Sequence, residues 1–388
     1  MSVEGRVSID VRRGNIPAVC VSLTQPGDVA RVLRGKTSAE ARSIIPVLFS
    51  VCGNAQAHAA RLALDAAQGR APAAAELAAM QCLTEMESLR ENALRIALDW
   101  TRQLGERVDQ HGLKPLMRLV PGLESVMQSG GAPRDKGSGP SYVQDRALRV
   151  IEAAEELLSA IVFGEPLAQW RERPDADAVR AWAEAGQTPA ARLLHRIDAQ
   201  GHADAGAIVL RRLAPPDDDV MRAWLGDGPD AAVLLPMAGK DPVPETTLLS
   251  RHADDRRLAR AVGARLSHSG LWARLTARLI ELSQLPGRMR GLIEGRITPI
   301  RGRMIGNAIG VSEIMAARGM LMHVAAVRDG RITRYRVLSP TRWNFDAHGA
   351  AARAIESIAA EHGEDAQALA ELMVTAIDPC VAHAVRIH

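Results

Sequence analysis

Two cysteines near opposite ends of the chain, Cys52 and Cys380, are the side chains best suited to chemistry. Asp378-Pro379, before the second cysteine, is a helix-start signal, because Asp can cap free backbone N–H groups and Pro fits the first helical position. Cys380 then falls in the first turn, where the helix dipole favours the metal-binding thiolate. His383 lies three residues on and would share that helix face. The spacing therefore predicts two soft metal ligands on a short C-terminal helix.

The elements that must position these residues are mostly helical. The terminal helix is too short to be stable alone, so we expect it to dock beside Cys52. Asn54 is the expected N-cap of a helix that runs to about Gln68. Apolar spacing predicts a long helix over 74–105. Further helical stretches are expected over 113–128, 144–162 and 174–199, followed by one helix over 347–362 and another that runs to 376. A hydrophobic content of 47% with only 3 Phe and 2 Tyr also favours packed helices over a β-sandwich.

Strands are predicted in two places. Residues 3–11 alternate apolar and polar side chains, which indicates an edge strand, and a second strand is expected around 18–21. Asp329-Gly330 between apolar runs predicts a hairpin, with strands over 324–327 and 332–337. We therefore expect a mainly α protein with a small antiparallel β-sheet that joins the N-terminal strands to the hairpin.

The clearest break in the chain is the Gly-, Pro- and Ser-rich stretch 129–140, which predicts a linker. Before the linker, an N-terminal region, 1–128, would contain the strands, the Cys-Gly pair and long helices. After the linker, a helical middle region is expected over 141–242. A C-terminal region, 243–388, would carry the hairpin and the Asp-Pro-Cys sequence.

Composition excludes several classes of function. The net charge is +3 and no Lys/Arg tract with interleaved aromatics occurs, so nucleic-acid binding is not expected. No stretch approaches the ~18 apolar residues of a membrane span, and no signal peptide is evident, so we expect a cytoplasmic protein without membrane contact. Four cysteines without a Cys-x-x-Cys pair fit a reducing compartment. Cys82, on the predicted long helix, is expected to be a core residue.

Four stretches resemble nickel-iron hydrogenase large subunits. Residues 378–383, Asp-Pro-Cys-Val-Ala-His, resemble the C-terminal Asp-Pro-Cys-x-x-Cys-x-x-His motif, and Cys52-Gly53 resembles the start of the N-terminal Arg-x-Cys-Gly-x-Cys-x-x-x-His motif. Residues 306–323 are similar to the family's Gly-x-Gly-x-x-Glu-Ala-Pro-Arg-Gly-x-Leu-x-His. Residues 339–344 are similar to its Pro-Ser/Thr-x-Trp-Asn. The resemblance implies the large-subunit fold.

The sequence departs from that family at the nickel ligands. The second cysteine of each motif is replaced, by Ala55 and by His383, and the family's histidine position falls on Ala59, with His58 one place early. Two thiolates cannot reproduce a four-sulfur nickel site, so we expect no nickel and no enzyme activity, and residual hydrogenase activity is the weakest alternative. The pattern is identified as that of HupK/HoxV-type hydrogenase maturation proteins.

The resemblance also implies a pocket for the diatomic ligands of iron. In the large subunits, the matching arginine and Ser/Thr donate hydrogen bonds to two cyanides, which carries over to Arg318 and Thr341, with Pro340 packing against the ligands. Charge-assisted donors in a dry pocket suit a negatively charged cyanide nitrogen. A hairpin ion pair for Arg318 and a strand-end hydroxyl for Thr341 are the alternatives.

The same resemblance implies roles for other residues. Cys52 and Cys380 would be the iron ligands, and His58 and His383 would be additional ligands or proton carriers. Glu4 falls at the family's proton-relay position, although an ordinary exposed strand carboxylate is the alternative.

The function implied is that of a scaffold or transfer protein. It would receive an Fe(CN)2CO unit from Hyp-type cofactor-assembly and carrier proteins, hold it transiently, and deliver it to a hydrogenase large-subunit precursor. The alternative is a metal-free folding chaperone or structural relative that acts on the same precursor through protein contacts.

Overall fold

A computed structural model of the protein describes residues 5–12, 14, 17–24, 29–49, 51–129, 140–225, 243–258 and 269–388. Glu4 and residues 130–139 of the predicted linker lie outside the described residues. The division of the chain into four regions therefore stays a prediction.

Helices make up most of the described chain. The first half contains α1 (Val29–Leu33), α2 (Ser38–Leu48), α3 (Gly53–Ala67), α4 (Ala74–Leu94), α5 (Thr101–Gln103), α6 (Lys114–Ser129), α7 (Pro140–Leu158), α8 (Leu167–Arg171), α9 (Ala176–Ala185) and α10 (Pro189–Ala199). The second half contains α11 (Asp218–Trp224), α12 (Leu248–His252), α13 (Leu271–Ile293), α14 (Pro340–Asn344), α15 (Ala350–Glu361) and α16 (Ala366–Ile377). A π-helical turn, Arg95–Trp100, joins α4 to α5, and a second, Ser159–Phe163, follows α7.

The longest helix, α13, lies at the centre of the core and packs against α4, α7, α10, α12 and α16. The predicted long helix over 74–105 is confirmed as α4, the π-helical turn and α5. Cys82 on α4 is fully buried in this core, as predicted. The helical stretch predicted around 174–199 is confirmed and consists of two helices, because the chain breaks at Gly186 and Thr188 caps a new helix that has Pro189 in its first turn. No described helix combines the length and the apolar character needed to cross a membrane.

The strands form two separate sheets in the described chain. The first has the order β2 (Ala18–Thr24), β1 (Arg6–Arg12), β7 (Ala382–Ile387), and the second has the order β3 (Arg303–Met304), β4 (Ile309–Ala316), β5 (Gly319–Arg328), β6 (Arg331–Leu338). The predicted hairpin is confirmed as β5 and β6. The expectation that one sheet joins the N-terminal strands to this hairpin is wrong, because β1 pairs antiparallel with β2 and parallel with β7. The first strand is therefore central and not an edge strand.

The predicted C-terminal helix is also wrong. Asp378 ends α16 in the left-handed region (φ 65°, ψ 88°), and after a turn at Pro379 and Cys380 the chain enters strand β7. Proline is common just after a helix end because it cannot continue the helix. Asp-Pro therefore marks the end of one helix and not the start of another, and the partner strand β1 makes the extended conformation of 382–387 favourable.

Close contact between α3 and β4 depends on a glycine, which generates a test of the packing. A Cβ atom at Gly310 would overlap the carbonyl oxygen of Ala63 and crowd the backbone nitrogen of Ala67. Because both obstacles are helix backbone, Gly310→Ala is expected to lower the free energy of unfolding by about 1–3 kcal/mol. Urea denaturation followed by circular dichroism measures this change.

The matched control is Gly122→Ala in α6, where an added Cβ has no atom within 4 Å apart from local helix backbone. There the same substitution is expected to raise stability by up to about 1 kcal/mol, since alanine is the better helix former. Equal effects of the two substitutions would show that α3 and β4 do not pack as described.

Candidate functional site

Cys380 is held by Thr341. Cys380 lies in the turn between α16 and β7, and its backbone N–H donates to Thr341 Oγ1 at 3.1 Å. The same hydroxyl donates to Cys380 Sγ at 3.0 Å. Thr341 is buried in the first turn of α14, directly after the buried Pro340 and the end of β6. The threonine therefore fixes both the backbone and the sulfur of Cys380.

Cys52 lies at the start of α3 and is close enough to Cys380 for their charges to interact. Burial raises the pKa of Cys52 strongly, and the neighbouring Cys380 and Glu87 raise it further, while Arg318 acts in the opposite direction. Gln56, one turn along α3, donates to the Cys52 sulfur at 3.8 Å. The structure thus brings both predicted cysteines and Arg318 together. A bound cation would replace the thiol proton, because metals bind the thiolate form.

The start of α3 is capped by a residue that the sequence analysis missed. Glu87 of α4 is buried, and its carboxylate accepts the backbone N–H groups of Asn54 at 2.9 Å and Ala55 at 3.0 Å. Asn54 was predicted as the N-cap, but its side chain donates to Glu124 of α6 at 3.1 Å. Burial raises the pKa of Glu87, against the effect of these two hydrogen bonds. Glu87 could have been identified from the sequence, because it lies among the apolar residues of the predicted long helix.

Arg318, in the turn between β4 and β5, is buried and has two carboxylate neighbours. Its Nε lies 3.3 Å from Asp378 Oδ1 and its Nη2 lies 3.4 Å from Glu91 Oε2. Burial acts to lower the pKa of Arg318, but Asp378, Cys380, Glu91 and Cys52 outweigh it and raise that pKa. The guanidinium therefore pairs with carboxylates from α4 and from the end of α16, and it also lies within electrostatic reach of both sulfurs.

Asp378 forms ion pairs with three arginines. Besides Arg318, it contacts Arg95 Nε at 2.9 Å and Arg278 Nη2 at 3.5 Å. Burial acts to raise the pKa of Asp378, but the three guanidinium groups lower it overall. Burial lowers the pKa of Arg278 to about 10, and its Nε and Nη1 have no hydrogen-bond partner among the described residues. An arginine in the middle of the apolar helix α13 was the signal that could have identified Arg278.

Of the two predicted histidines, His58 lies apart from the cysteines, whereas His383 lies on β7 within electrostatic reach of Arg95 and Asp378. His58 Nδ1 is 3.0 Å from Thr84 Oγ1, and the ring lines a cavity of about 50 Å³ whose walls come from α3, α4, α12, α13 and neighbouring segments but include neither cysteine. Burial lowers the pKa of His58 to about 4. His383 is exposed on β7 and does not share a helix face with Cys380. The described residues contain no group of three or more His, Cys, Asp or Glu side chains that could hold a metal ion.

Proteins similar to this chain are all connected with nickel-dependent hydrogenases. Residues 246–386 match the family described as nickel-dependent hydrogenase. The chain is 28% identical over 396 residues to the hydrogenase expression/formation protein HupV of Azotobacter chroococcum mcd 1, covering 99% of this chain and 98% of that protein. It is 29% identical over 406 residues to the hydrogenase expression/formation protein HoxV of Cupriavidus necator, covering 99% and 96%.

The chain is thus similar, over nearly the whole length of both proteins, to hydrogenase expression/formation proteins named HupK, HupV and HoxV. A HupK protein of Azotobacter vinelandii is likewise 28% identical over 386 residues, covering 99% of this chain and 98% of that protein.

The fold of this chain is that of nickel-iron hydrogenase large subunits, mainly α with a small antiparallel sheet, as predicted. The Ni-Fe-Se hydrogenase of D. vulgaris Hildenborough superposes with a TM-score of 0.57 at 14% identity, covering 98% of this chain and 100% of that chain. An NAD+-reducing [NiFe]-hydrogenase superposes with a TM-score of 0.54 at 17% identity, covering 94% and 93%.

The three-arginine cluster generates a test of stability. Asp378→Asn would leave three buried guanidinium groups without their shared negative charge, so we expect the free energy of unfolding to fall by about 3–5 kcal/mol. The control is Asp254→Asn, which breaks an exposed pair with Arg212 and is expected to change the free energy of unfolding far less, because solvent screens that pair.

The stability of wild type and of Asp378→Asn is also expected to depend differently on pH. Because the folded-state pKa of Asp378 is lowered, its contribution is present above the usual Asp pKa of about 3.9 and is lost as the pH falls through the folded-state value. The stability difference between wild type and Asp378→Asn should therefore shrink on acidification. A difference that stays constant down to acid unfolding would contradict this role.

Proposed function

We propose that the protein serves the maturation of a nickel-iron hydrogenase large subunit, as a scaffold that holds an Fe(CN)2CO unit before its transfer. A role in hydrogenase maturation is supported by the names of its full-length relatives. The observation that carries the finer proposal is the convergence of Cys52 and Cys380 with Arg318 and Thr341. These four residues come from α3, the α16–β7 turn, the β4–β5 turn and α14.

The donor set suits an iron unit with anionic ligands. The two cysteine sulfurs are soft ligands, and iron would take the place of their protons. The buried Arg318 guanidinium and the Thr341 hydroxyl are donors that can face cyanide nitrogens, where a charge-assisted hydrogen bond in a dry pocket is strong. The Thr341 hydroxyl hydrogen is directed at the Cys380 sulfur and would have to turn toward a ligand on iron to donate to it.

Nickel and hydrogen turnover are not part of the proposal. Ala55 is buried at the start of α3, where the large subunits have a cysteine, and His383 is exposed on β7, where they have another. The site therefore supplies two thiolates and not four. We infer that the protein is not an enzyme and that its partners are a Hyp-type carrier, which supplies the iron unit, and a large-subunit precursor, which accepts it.

The half-buried cysteines fit a transient ligand. Both sulfurs belong to residues that are neither fully buried nor exposed, whereas Arg318 and Thr341 behind them are buried. An incoming carrier would therefore meet the cysteines first, and the cyanide donors would be reached only once the iron unit has entered.

Infrared spectroscopy of protein purified without oxygen from its native host, with iron and nickel assayed in the same sample, tests the proposal. Cyanide and carbonyl bands together with iron and without nickel are the expected result. Protein without bands or iron that still forms a complex with a large-subunit precursor would favour the metal-free chaperone instead.

Removal of one cysteine gives a direct prediction. The Cys380→Ala variant is expected to purify folded but without iron-bound cyanide, because one of the two thiolate ligands is gone. Cys20→Ala, at an exposed position of β2, is the matched control and should keep the infrared bands of the wild type. Equal cofactor loading of the two variants would refute the assignment of Cys380.

Removal of a single hydroxyl tests the ligand pocket. Thr341→Val should shift a cyanide band by more than the carbonyl band, because the lost hydrogen bond ends on a cyanide nitrogen. Thr333→Val removes a hydroxyl of exposed strand β6, which donates to Ala326 O, and should leave the spectrum unchanged. An unchanged cyanide region in the spectrum of the Thr341 variant would show that Thr341 does not donate to a cyanide.

A further inference from the structure

A series of three hydrogen bonds, two of them buried and the last partly buried, leads from strand β6 to Cys52. The Tyr335 hydroxyl lies 2.6 Å from His323 Nδ1 on the neighbouring strand β5. His323 Nε2 lies 2.9 Å from Gln56 Oε1 on α3. The amide nitrogen of the same glutamine reaches the Cys52 sulfur at 3.8 Å.

The three intermediate side chains are enclosed by protein. His323 is fully buried, and Tyr335 and Gln56 are 1% and 2% exposed. The rings of Tyr335 and His323 meet edge to face, with centroids 5.6 Å apart. Strand pairing sets this contact, because Tyr335 lies opposite Ala325, two residues along β5 from His323. The positions of these hydrogen-bonded side chains are therefore set by the sheet and by the packing of α3 against β5.

Burial keeps both rings uncharged. It lowers the pKa of His323 to about 3 and raises the pKa of Tyr335. A neutral histidine carries one N–H and one lone pair, so the hydrogen bonds along the chain must all run in one direction or all in the other.

The tyrosine selects the direction. In the described part of the chain, its hydroxyl has His323 Nδ1 as its one hydrogen-bond partner. If Nδ1 carried the proton, the buried hydroxyl hydrogen would have no acceptor, which is costly. With the hydroxyl donating to Nδ1, the proton of His323 lies on Nε2 and is donated to Gln56 Oε1. The amide group then presents an N–H to Cys52.

We propose that Tyr335 and His323 are positioning residues that fix the amide of Gln56 with its N–H directed at the Cys52 sulfur. Groups behind a ligand commonly orient it and tune its strength as a donor to the metal. The role of this donor rests on the proposed function, in which Cys52 binds iron. An N–H bond to the sulfur would stabilise the bound thiolate and reduce the electron density that it passes to iron. The opposite amide orientation would present an oxygen, which suits a thiol and not a thiolate.

The direction of the hydrogen bonds from Tyr335 to Cys52 can be measured without iron. In protein labelled with nitrogen-15 at histidine, the ring nitrogens of His323 are expected to report the Nε2–H tautomer, assigned by loss of the signal in His323→Gln. Tyr335→Phe removes the donor that selects this tautomer, so the Nδ1–H form should appear. Tyr142→Phe changes the other tyrosine, which is exposed on α7, and should leave His323 unchanged.

Two outcomes would overturn the proposal. An Nδ1–H tautomer of His323 in the wild type would show that the hydrogen bonds run in the opposite direction. A pure Nε2–H tautomer in Tyr335→Phe would remove the selecting role of the tyrosine. Because Tyr335→Phe deletes only one oxygen atom, its fold is expected to persist, and the histidine signals of the same sample verify this.

Infrared spectra of the iron-loaded protein give the second readout. Gln56→Met and Tyr335→Phe should both move the carbonyl band to lower wavenumber, since the thiolate donates more electron density to iron once its hydrogen bond is lost. Tyr142→Phe should not move it. An unshifted band in Gln56→Met would show that the amide does not act on a ligand of iron. If the wild type carries no iron, the proposed function fails, while the tautomer measurement still decides the hydrogen-bond chain.

Discussion

The buried carboxylate of Asp378 is the contact on which the arrangement of this site depends. It faces Arg95 from the π-helical turn, Arg278 from the central helix and Arg318 from the β4–β5 turn. Buried arginines are costly without an anion, so three elements that are distant in sequence converge on this residue. Asp378 itself adopts a left-handed backbone that few residues other than glycine favour. That backbone turns the chain out of α16 and presents Cys380 beside Cys52.

Charge balance links this cluster to the cysteines. Burial disfavours a thiolate at Cys52 when no cation is present, and the nearby Arg318 only partly compensates. In the proposed function, an incoming iron unit supplies the missing positive charge, while its cyanides meet the donors behind the sulfurs. The neighbouring groups hold the sulfurs in place from different sides. Thr341 holds Cys380, and the chain from Tyr335 through Gln56 reaches Cys52.

The large-subunit fold persists here at 14–17% identity to solved hydrogenases, because it depends on backbone packing more than on particular side chains. Gly310 lets β4 lie directly on α3, and Gly319 brings β5 against the backbone of Thr246. The chemistry of the site changes independently of that frame. In the proposed function, Ala55 and His383 stand where large subunits have ligands, and both are accommodated by the start of α3 and by the terminal strand.

The sequence by itself determined the features that are encoded locally. Helical periodicity and the Asp329-Gly330 turn were sufficient to predict the mainly α fold and the hairpin. The proximity of Cys52 to Cys380 was expected from the resemblance of the two motifs to those of large subunits and not from a local pattern. Tertiary structure decided the rest. Residues 382–387 form a strand because β1, some 370 positions earlier, offers a backbone partner. Glu87 replaces Asn54 as the cap of α3 because α4 packs beside it. The conformation of the terminal strand and the cap of α3 depend on groups that come together only in the folded protein. A local sequence pattern therefore cannot predict them.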